Sequence, residues 1–155
     1  MQSPPTPFKV LFLCSGNSCR SQMAEGWARH LKHGVIEPYS AGTTPHGLNP
    51  LAVRVMREAG IDISWHRSKS LADLARVEFD YVITVCSDAD RNCPVFLGHT
   101  VRAHRGFDDP PVLAKSARNE DEALVHYRRV RDEIRRFVET LPESLSQAAA
   151  KLKGT

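Results

Sequence analysis

The chain has 155 residues, of which 41% are hydrophobic and 25% are charged; this is one domain's worth of sequence with an ordinary globular composition. Such a composition excludes collagen-like, coiled-coil and disordered classes. The formal net charge of +3 arises from 21 Lys and Arg against 18 Asp and Glu. Because the basic residues are spread along the chain, this balance gives no support to nucleic-acid binding.

The sequence offers no candidate for membrane insertion or secretion. Its longest wholly apolar run, residues 10–14, is far shorter than the ~20 residues that a bilayer requires. Residues 1–8 hold three prolines and no Lys or Arg, unlike the start of a secretory signal. We therefore expect a cytoplasmic protein, in which the four cysteines are catalytic, metal-bound or inert rather than joined in permanent disulfides.

Strand-like and helix-like segments alternate between a Pro-rich arm at residues 1–7 and a polar tail at residues 147–155, so residues 8–146 form the predicted domain. This alternation implies parallel strands joined by right-handed crossovers, and we predict a single three-layer α/β domain with a central parallel four-stranded sheet and helices on both faces. Ligands of such sheets bind beyond the carboxyl ends of the strands.

The predicted strands are residues 8–13, 35–40, 81–86 and 100–104. The predicted helices are residues 21–32, residues 50–59 and a long amphipathic helix near the C-terminus. One face of this long helix carries Leu124, Tyr127, Val130, Ile134, Phe137 and Leu141.

The second of these helices has the clearest end signals. Asn49 is a predicted cap, Pro50 suits the first helical position, and Gly60 can close the helix in a left-handed conformation. For the first helix, Ser18 is the predicted cap.

The turn between the first strand and the first helix carries the strongest chemical signal. Backbone N–H groups in a loop that leads into a helix N-terminus can form an anion-binding nest, and Arg20 can clamp two oxygens of a tetrahedral oxyanion. Gly16 and Asn17 tolerate the left-handed backbone that such a loop needs. The same positive field would lower the pKa of the Cys14 thiol below ~8.5 and make it a nucleophile. The full string is Cys14, Ser15, Gly16, Asn17, Ser18, Cys19, Arg20 and Ser21.

A second cluster contains two further cysteines. Cys86 closes a predicted strand, and six polar or small residues separate it from Cys93. This segment could loop out and let the two sulfurs meet, or lie as a helix that keeps them apart. A zinc site shared with Cys14 and Cys19 is disfavoured because the spacings do not match the usual short knuckles, and Cys93 as an inert thiol is the other alternative.

The remaining candidates are carboxylates and histidines. Asp108 and Asp109, before Pro110, follow the weak strand at residues 100–104 and could supply a general acid at the same sheet edge. An Asp-Pro pair by itself is more often a turn signal. The seven histidines are scattered without an i, i+4 metal pair, so we interpret them as surface or structural residues.

Taken together, residues 14–27, 86–94 and 106–110 resemble the thioredoxin-coupled arsenate reductases built on the low-molecular-weight tyrosine phosphatase fold. Shorter matches at residues 39–42, 61–64 and 129–134 extend the resemblance over residues 8 to about 140. The resemblance implies that Cys14 attacks arsenate held by the loop and Arg20, and that Asp109 protonates the departing oxygen.

The resemblance also implies a disulfide cascade. Cys86 attacks the sulfur of Cys14 and releases arsenite; Cys93 then displaces Cys14, and thioredoxin reduces the Cys86–Cys93 disulfide. Glutaredoxin is the lesser possibility as reductant. Ser21 would hydrogen-bond the Cys14 thiolate, and Cys19 would be structural.

One position departs from the pattern that binds potassium in members of this group. Asn17, Glu25 and Ser40 match three of the ligands, whereas Lys69 stands where an Asp is expected. Its ammonium group would repel a cation, so it either pairs with Glu25 in place of the ion or points to solvent beside an absent site. We expect no metal and no other cofactor.

The alternative reading is a low-molecular-weight phosphotyrosine phosphatase, which uses the same loop and acid. Those enzymes generally carry Pro where this chain has Gln22, and aromatic residues where it has Pro111 and Val112. Hydrolysis by water also has no use for Cys86 and Cys93. A non-enzymatic oxyanion-binding module would leave the acid and both of these cysteines idle.

Overall fold

Four parallel strands form the centre of the molecule, which is described here by a computed structural model covering residues 6–96 and 98–145. The strands are β1 (Phe8–Cys14), β2 (Ile36–Gly42), β3 (Tyr81–Thr84) and β4 (Val101–His104), arranged in the order β2-β1-β3-β4. All three pairings are parallel. The predicted α/β domain with a parallel four-stranded sheet is confirmed. The predicted polar tail, residues 147–155, and most of the Pro-rich arm lie outside the described residues.

Strand β1 occupies the middle of the sheet because its sequence is apolar on both sides. Residues 10–13 are all fully buried, and since successive side chains point to opposite faces, both faces of the sheet are covered here. In the register, Cys14 pairs with Gly42 of β2, and Leu13 pairs with Thr84 of β3. The carboxyl ends of the three strands therefore meet at one edge of the sheet.

Within the described residues, five helices surround the sheet: α1 (Arg20–Leu31), α2 (Pro50–Glu58), α3 (Ser87–Arg91), α4 (Pro110–Leu113) and α5 (Glu120–Glu139). Helices α1 and α2 and the long C-terminal helix α5 pack against one another, and α1 also packs on β1 and β2, whereas α3 lies against β1 and β3. None of the helices in the described part of the chain is long and apolar enough to cross a membrane. Two 3-10 turns of the described residues lie at Leu71–Leu74 and Ala114–Ser116.

The helix ends agree with the sequence signals for α2 and differ for α1. Asn49 caps α2 by accepting from the N–H groups of Leu51 and Ala52, at 2.8 and 3.2 Å, and Gly60 follows with a φ of 84°. The predicted cap of α1 at Ser18 is wrong: Cys19 is the N-cap residue, and its side chain makes no capping hydrogen bond. The orphan N–H groups at this end are thereby left without a side-chain acceptor.

Candidate active site

The loop of residues 14–20, the anion loop, joins β1 to α1. Its carbonyl oxygens accept hydrogen bonds from groups on neighbouring segments. Because these oxygens are bonded to neighbouring segments, the loop is held as a turn whose N–H groups face away from them. No backbone group in residues 6–96 and 98–145 accepts from the backbone N–H of residues 16–20, which leaves a row of donors for an anion. The carbonyl contacts are Thr43 N to Cys14 O (3.1 Å), Thr44 N to Ser15 O (2.8 Å), His46 N to Gly16 O (3.1 Å), Asn49 N to Ser18 O (2.9 Å), Ser68 Oγ to Gly16 O (3.0 Å) and Gln22 Nε2 to Asn17 O (3.0 Å).

The left-handed residue in this loop is Asn17, with a φ of 47°. Its buried side chain is fully engaged: Oδ1 accepts from the backbone N–H of Lys69 at 2.7 Å, and Nδ2 donates to Ser21 Oγ at 2.9 Å. The predicted hydrogen bond from Ser21 to Cys14 is not among those formed by the described residues. Ser21 instead supports the conformation of Asn17.

Gly16 was expected to share the left-handed conformation, and it does not, since its φ is not positive. A Cβ atom at Gly16 would lie 2.1 Å from Nε2 of His46, far inside van der Waals contact. The glycine therefore makes room for a neighbouring ring rather than for an unusual backbone angle.

Gln22 and His66 brace the loop from beneath. Gln22 Nε2 donates to the carbonyls of Asn17 and Arg67, at 3.0 and 2.9 Å, so its amide oxygen faces His66 Nδ1 at 2.9 Å. That contact assigns the ring proton to Nδ1, and Nε2 can then accept from Arg29 Nη1 at 3.0 Å. Burial lowers the pKa of His66, which agrees with a neutral ring.

Arg20 is fixed by two contacts that leave its Nε unpaired in the described part of the chain. Its Nη1 donates to the carbonyl of Phe107 at 3.0 Å, and its Nη2 lies 3.5 Å from Asp109 Oδ2. Its Nε is buried without a hydrogen-bond partner within the described residues. A buried guanidinium with an unused N–H is poised to bind an oxyanion.

Asp109 and its neighbour Asp108 have different surroundings. Asp109 contacts Arg20 and lines the same cavity as Cys14. Asp108 is 63% exposed and forms an ion pair with Arg129 at 2.9 Å, on α5. Of the two carboxylates, only Asp109 is in position to reach a bound anion.

The cavity beside the anion loop is small. Its volume is about 90 Å³, which is room for a few water molecules or a tetrahedral oxyanion. One of its lining residues, His46, was missed by the sequence prediction because it belongs to no recognisable motif, and Pro111 was named only as a departure from the phosphatase pattern. The lining consists of Cys14, Ser15, Gly16, Ser18, Cys19, Arg20, His46, Asp109 and Pro111.

Cys86 stands at the N-terminus of α3 and interacts directly with the thiol of Cys14. Its Sγ accepts from the N–H of Ala89 at 3.3 Å and lies 3.8 Å from Ser15 Oγ. The hydrogen bond between the two thiols lowers the pKa of Cys86 to about 5. The same hydrogen bond, followed by burial, raises the pKa of Cys14, and the opposing effect of Arg20 is smaller. The predicted lowering of the Cys14 pKa is therefore wrong: the effect of Arg20 has the expected sign but is outweighed, and the pair holds its thiolate on Cys86.

The other two cysteines are free thiols, as are Cys14 and Cys86. Cys93 is partly exposed, follows α3, and donates to the carbonyl of Pro94 at 3.6 Å; burial raises its pKa. Helix α3 therefore stands between Cys86 and Cys93, which is the helical alternative left open by the sequence. Cys19 is 2% exposed, and burial raises its pKa as well.

Beneath the anion loop, the residues expected to bind a cation include Lys69, whose ammonium group carries a positive charge itself. Glu25 is buried, and its Oε1 accepts from Ser40 Oγ at 2.7 Å and lies 3.7 Å from Lys69 Nζ. Its Oε2 pairs with Arg29 Nη2 at 2.8 Å. Only 16% of the Lys69 side chain is exposed, so the ammonium group points inward. Two cationic groups on one carboxylate do not fit a further metal ion.

The sequence profile of the family "Low molecular weight phosphotyrosine protein phosphatase" matches residues 9–151, and the chain belongs to this family. The chain is 50% identical over 135 residues to an arsenate reductase of Bacillus licheniformis, covering 84% of this chain and 95% of that protein.

Two solved structures are also similar. An arsenate reductase in the phosphate-binding state superposes with a TM-score of 0.68 at 33% identity, over 86% of this chain and 95% of that one. A thioredoxin-dependent arsenate reductase of Corynebacterium glutamicum superposes with a TM-score of 0.66 at 25% identity, over 93% of this chain and 64% of that one.

Proposed function

We propose that this protein reduces arsenate to arsenite, with Cys14 as the nucleophile and Cys86 and Cys93 as a redox pair. The observation that carries the proposal is a second thiol, Cys86, directly behind the anion-sized cavity that Cys14 and Ser15 line: its Sγ lies 3.8 Å from Ser15 Oγ and interacts with the thiol of Cys14. A second thiol in that position has a use only when the nucleophilic sulfur must itself be attacked. The relatives named arsenate reductase support the same substrate.

The first step is displacement at arsenic. Arsenate binds to the N–H groups of the anion loop and to Arg20, and Cys14 gives up its proton to the Cys86 thiolate that shares it. The sulfur of Cys14 then forms a bond to arsenic while Asp109 protonates the departing oxygen, which leaves as water.

The second step moves two electrons. Cys86, deprotonated again, attacks the sulfur of Cys14; the S–As bond breaks, and its electron pair reduces arsenic from the +5 to the +3 state, so that arsenite leaves. Cys93 next attacks the sulfur of Cys86 and expels the Cys14 thiolate. The resulting Cys86–Cys93 disulfide is reduced by an external dithiol.

Thioredoxin is the proposed reductant, in line with the thioredoxin-dependent neighbour from Corynebacterium glutamicum. Glutaredoxin remains the lesser alternative, since the same disulfide can exchange with either thiol. We place the protein in the cytoplasm, where such reductants keep thiols reduced and where the activity would detoxify arsenate.

We also propose that Lys69 takes the place of a potassium ion. Its ammonium group lies 3.7 Å from Glu25 Oε1, and its backbone N–H donates to Asn17 at 2.7 Å. One residue thereby neutralises the buried carboxylate and supports the left-handed residue of the anion loop, which are the two tasks expected of an ion at this place.

The competing function is hydrolysis of phosphomonoesters by the same loop. Both functions need Cys14, Arg20 and Asp109, so the two differ in their use of the second thiol. Aryl-phosphate hydrolysis should be lost in Cys14→Ser and retained in Cys86→Ser, whereas catalytic arsenate reduction should be lost in both.

The test follows NADPH oxidation with arsenate, thioredoxin and its reductase, beside a glutaredoxin and glutathione system. We expect turnover with thioredoxin in the wild type and none in Cys86→Ser or Cys93→Ser. Normal turnover of Cys86→Ser would contradict the cascade.

A further inference from the structure

We propose that His46 narrows the mouth of the anion cavity, so that the site favours inorganic tetrahedral oxyanions over phosphomonoesters. The proposal deepens the proposed function, on which it rests, by assigning the substrate class to a named side chain. His46 lies outside the Cys14–Arg20 string, and its imidazole makes no hydrogen bond within the described residues.

The position of His46 is fixed by the anion loop itself. Its backbone N–H donates to the carbonyl of Gly16 at 3.1 Å, and the nearby N–H groups of Thr44 and Asn49 donate to Ser15 and Ser18. The segment that carries His46 is therefore bonded along the outer side of the loop, and its side chain cannot drift far from the cavity.

The ring and Gly16 form a matched pair. A Cβ atom at Gly16 would lie 2.1, 2.6 and 2.7 Å from Nε2, Cε1 and Cδ2 of the ring, so the imidazole rests against the backbone of the loop. Since Gly16 is not left-handed, its missing side chain is explained by the space that the ring occupies.

His46 stands where the cavity opens to solvent. It lines the cavity and is nevertheless exposed, a combination expected of a residue at the rim. Pro111 is half-buried and lines the same cavity, and it lies on the segment that carries Asp109. When the phosphate group of a phosphomonoester is bound in the anion loop, its organic substituent has to project between His46 and Pro111 to reach solvent.

The size of the cavity decides which anions fit. Its volume is about 90 Å³, whereas a cavity that holds benzene has about 150 Å³. Arsenate and phosphate have no substituent to project, and an aryl phosphate does. Shortening His46 should widen the mouth in the direction that an aryl ring needs.

The first test measures binding and needs no turnover. Inorganic phosphate and phenylphosphonate are added in turn to wild type, His46→Ala, the bulk-retaining His46→Leu and the control His33→Ala, an exposed histidine away from the cavity. A ligand that binds only the folded state raises the Tm. We expect phosphate to raise the Tm of all four proteins and phenylphosphonate to raise that of His46→Ala by more than that of the other three.

The second test measures specificity as the ratio of kcat/KM for para-nitrophenyl phosphate to kcat/KM for arsenate. We expect His46→Ala to raise this ratio by about tenfold or more, since removing a steric clash of methylene size or larger changes discrimination by roughly 10- to 200-fold. His46→Leu and His33→Ala should keep the wild-type ratio.

An unchanged ratio and unchanged phenylphosphonate binding in His46→Ala would overturn the proposal. A rise of the ratio in His46→Leu equal to that in His46→Ala would also overturn it, because the effect would then come from loss of the imidazole's polarity rather than its bulk. Absence of arsenate reduction in the wild type would count against the proposed function alone, and the binding measurements would still decide the role of His46.

Discussion

The pKa values of Cys14 and Cys86 are shifted in opposite directions, so we expect the two sulfurs to share one proton at neutral pH and this proton to govern how the site responds to pH. The hydrogen bond from Cys14 is the first cause of the low pKa of Cys86, about 5, against ~8.5 for a free thiol. Above pH 5 the pair carries a thiolate; as pH falls through 5, Cys86 is protonated and the thiolate is lost. Because the unfolded chain already binds this proton near pH ~8.5, the stability that the thiolate gives to the fold declines as pH falls from there to about 5 and is gone below that.

Ultraviolet absorbance of the thiolate tests this assignment. We expect a step centred near pH 5 in the wild type and its absence in Cys86→Ser. Cys14→Ala removes the hydrogen-bond donor, so the midpoint of Cys86 should move to higher pH. A midpoint that stays in place in Cys14→Ala would show that Cys14 does not set the pKa of Cys86.

Asp109 and Asp108 provide a matched pair of carboxylates for testing the general acid. Asp109→Asn should lower turnover by roughly 10²- to 10⁴-fold, the range for a positioned acid. Asp108→Asn removes only an exposed ion pair with Arg129 and should change turnover far less. Steady-state arsenate reduction of the two variants is the measurement, and the reverse order of effects would reassign the acid.

The site residues that could be predicted from sequence are those that stand at the end of a predicted strand or shortly after it. Cys14 and the residues after it read as a strand-to-helix turn, and Asp109 follows β4. By contrast, Gln22 and His66 meet across 44 positions of sequence, and His46 reaches Gly16 through the fold. Such long-range contacts leave no periodic pattern, so sequence reasoning missed what these residues do.

At the scale of secondary structure, α3 is the element whose order matters most. Cys86 caps its N-terminus and Cys93 follows its end, and at ~1.5 Å of rise per residue the helix keeps the two Cα atoms farther apart than the ~7 Å limit for a disulfide. Asp90 ties the helix down through Thr84 Oγ1 at 3.1 Å and Arg102 Nη2 at 2.9 Å. Formation of a Cys86–Cys93 disulfide therefore requires α3 to unwind.

Hydrogen exchange of the reduced and oxidised proteins can detect this unwinding. We expect the amides of residues 87–96 to lose protection in the oxidised form, while those of α2, which contains no cysteine, stay unchanged. Equal protection of residues 87–96 in both forms would exclude the order-to-disorder change.

The elements that could be predicted are those with length or end signals. Helices α2 and α5 were predicted by a cap and by apolar spacing, and β1 by its continuous apolar run. Helices α3 and α4 span only five and four residues, which is too short for a periodic pattern. Their formation depends on tertiary contacts such as those of Asp90.

At the scale of the whole molecule, the proposed replacement of a cation by Lys69 predicts that the Tm and the turnover do not depend on which monovalent cation is present. Exchanging potassium for sodium at constant ionic strength should leave both the Tm and the turnover of the wild type nearly unchanged. Lys69→Asp removes the ammonium group from Glu25 and should create a potassium-specific gain in Tm. A clear potassium-specific gain in the wild type would contradict the replacement.

The three-cysteine cascade is tested most directly by mixing the pre-reduced protein with arsenate and no external reductant. The wild type should release a single equivalent of arsenite per chain and lose two thiols, ending as the Cys86–Cys93 disulfide. Cys93→Ser should release the same single equivalent and stop at a Cys14–Cys86 disulfide, whereas Cys86→Ser should release none. Release of arsenite by Cys86→Ser in the wild-type amount would contradict the account.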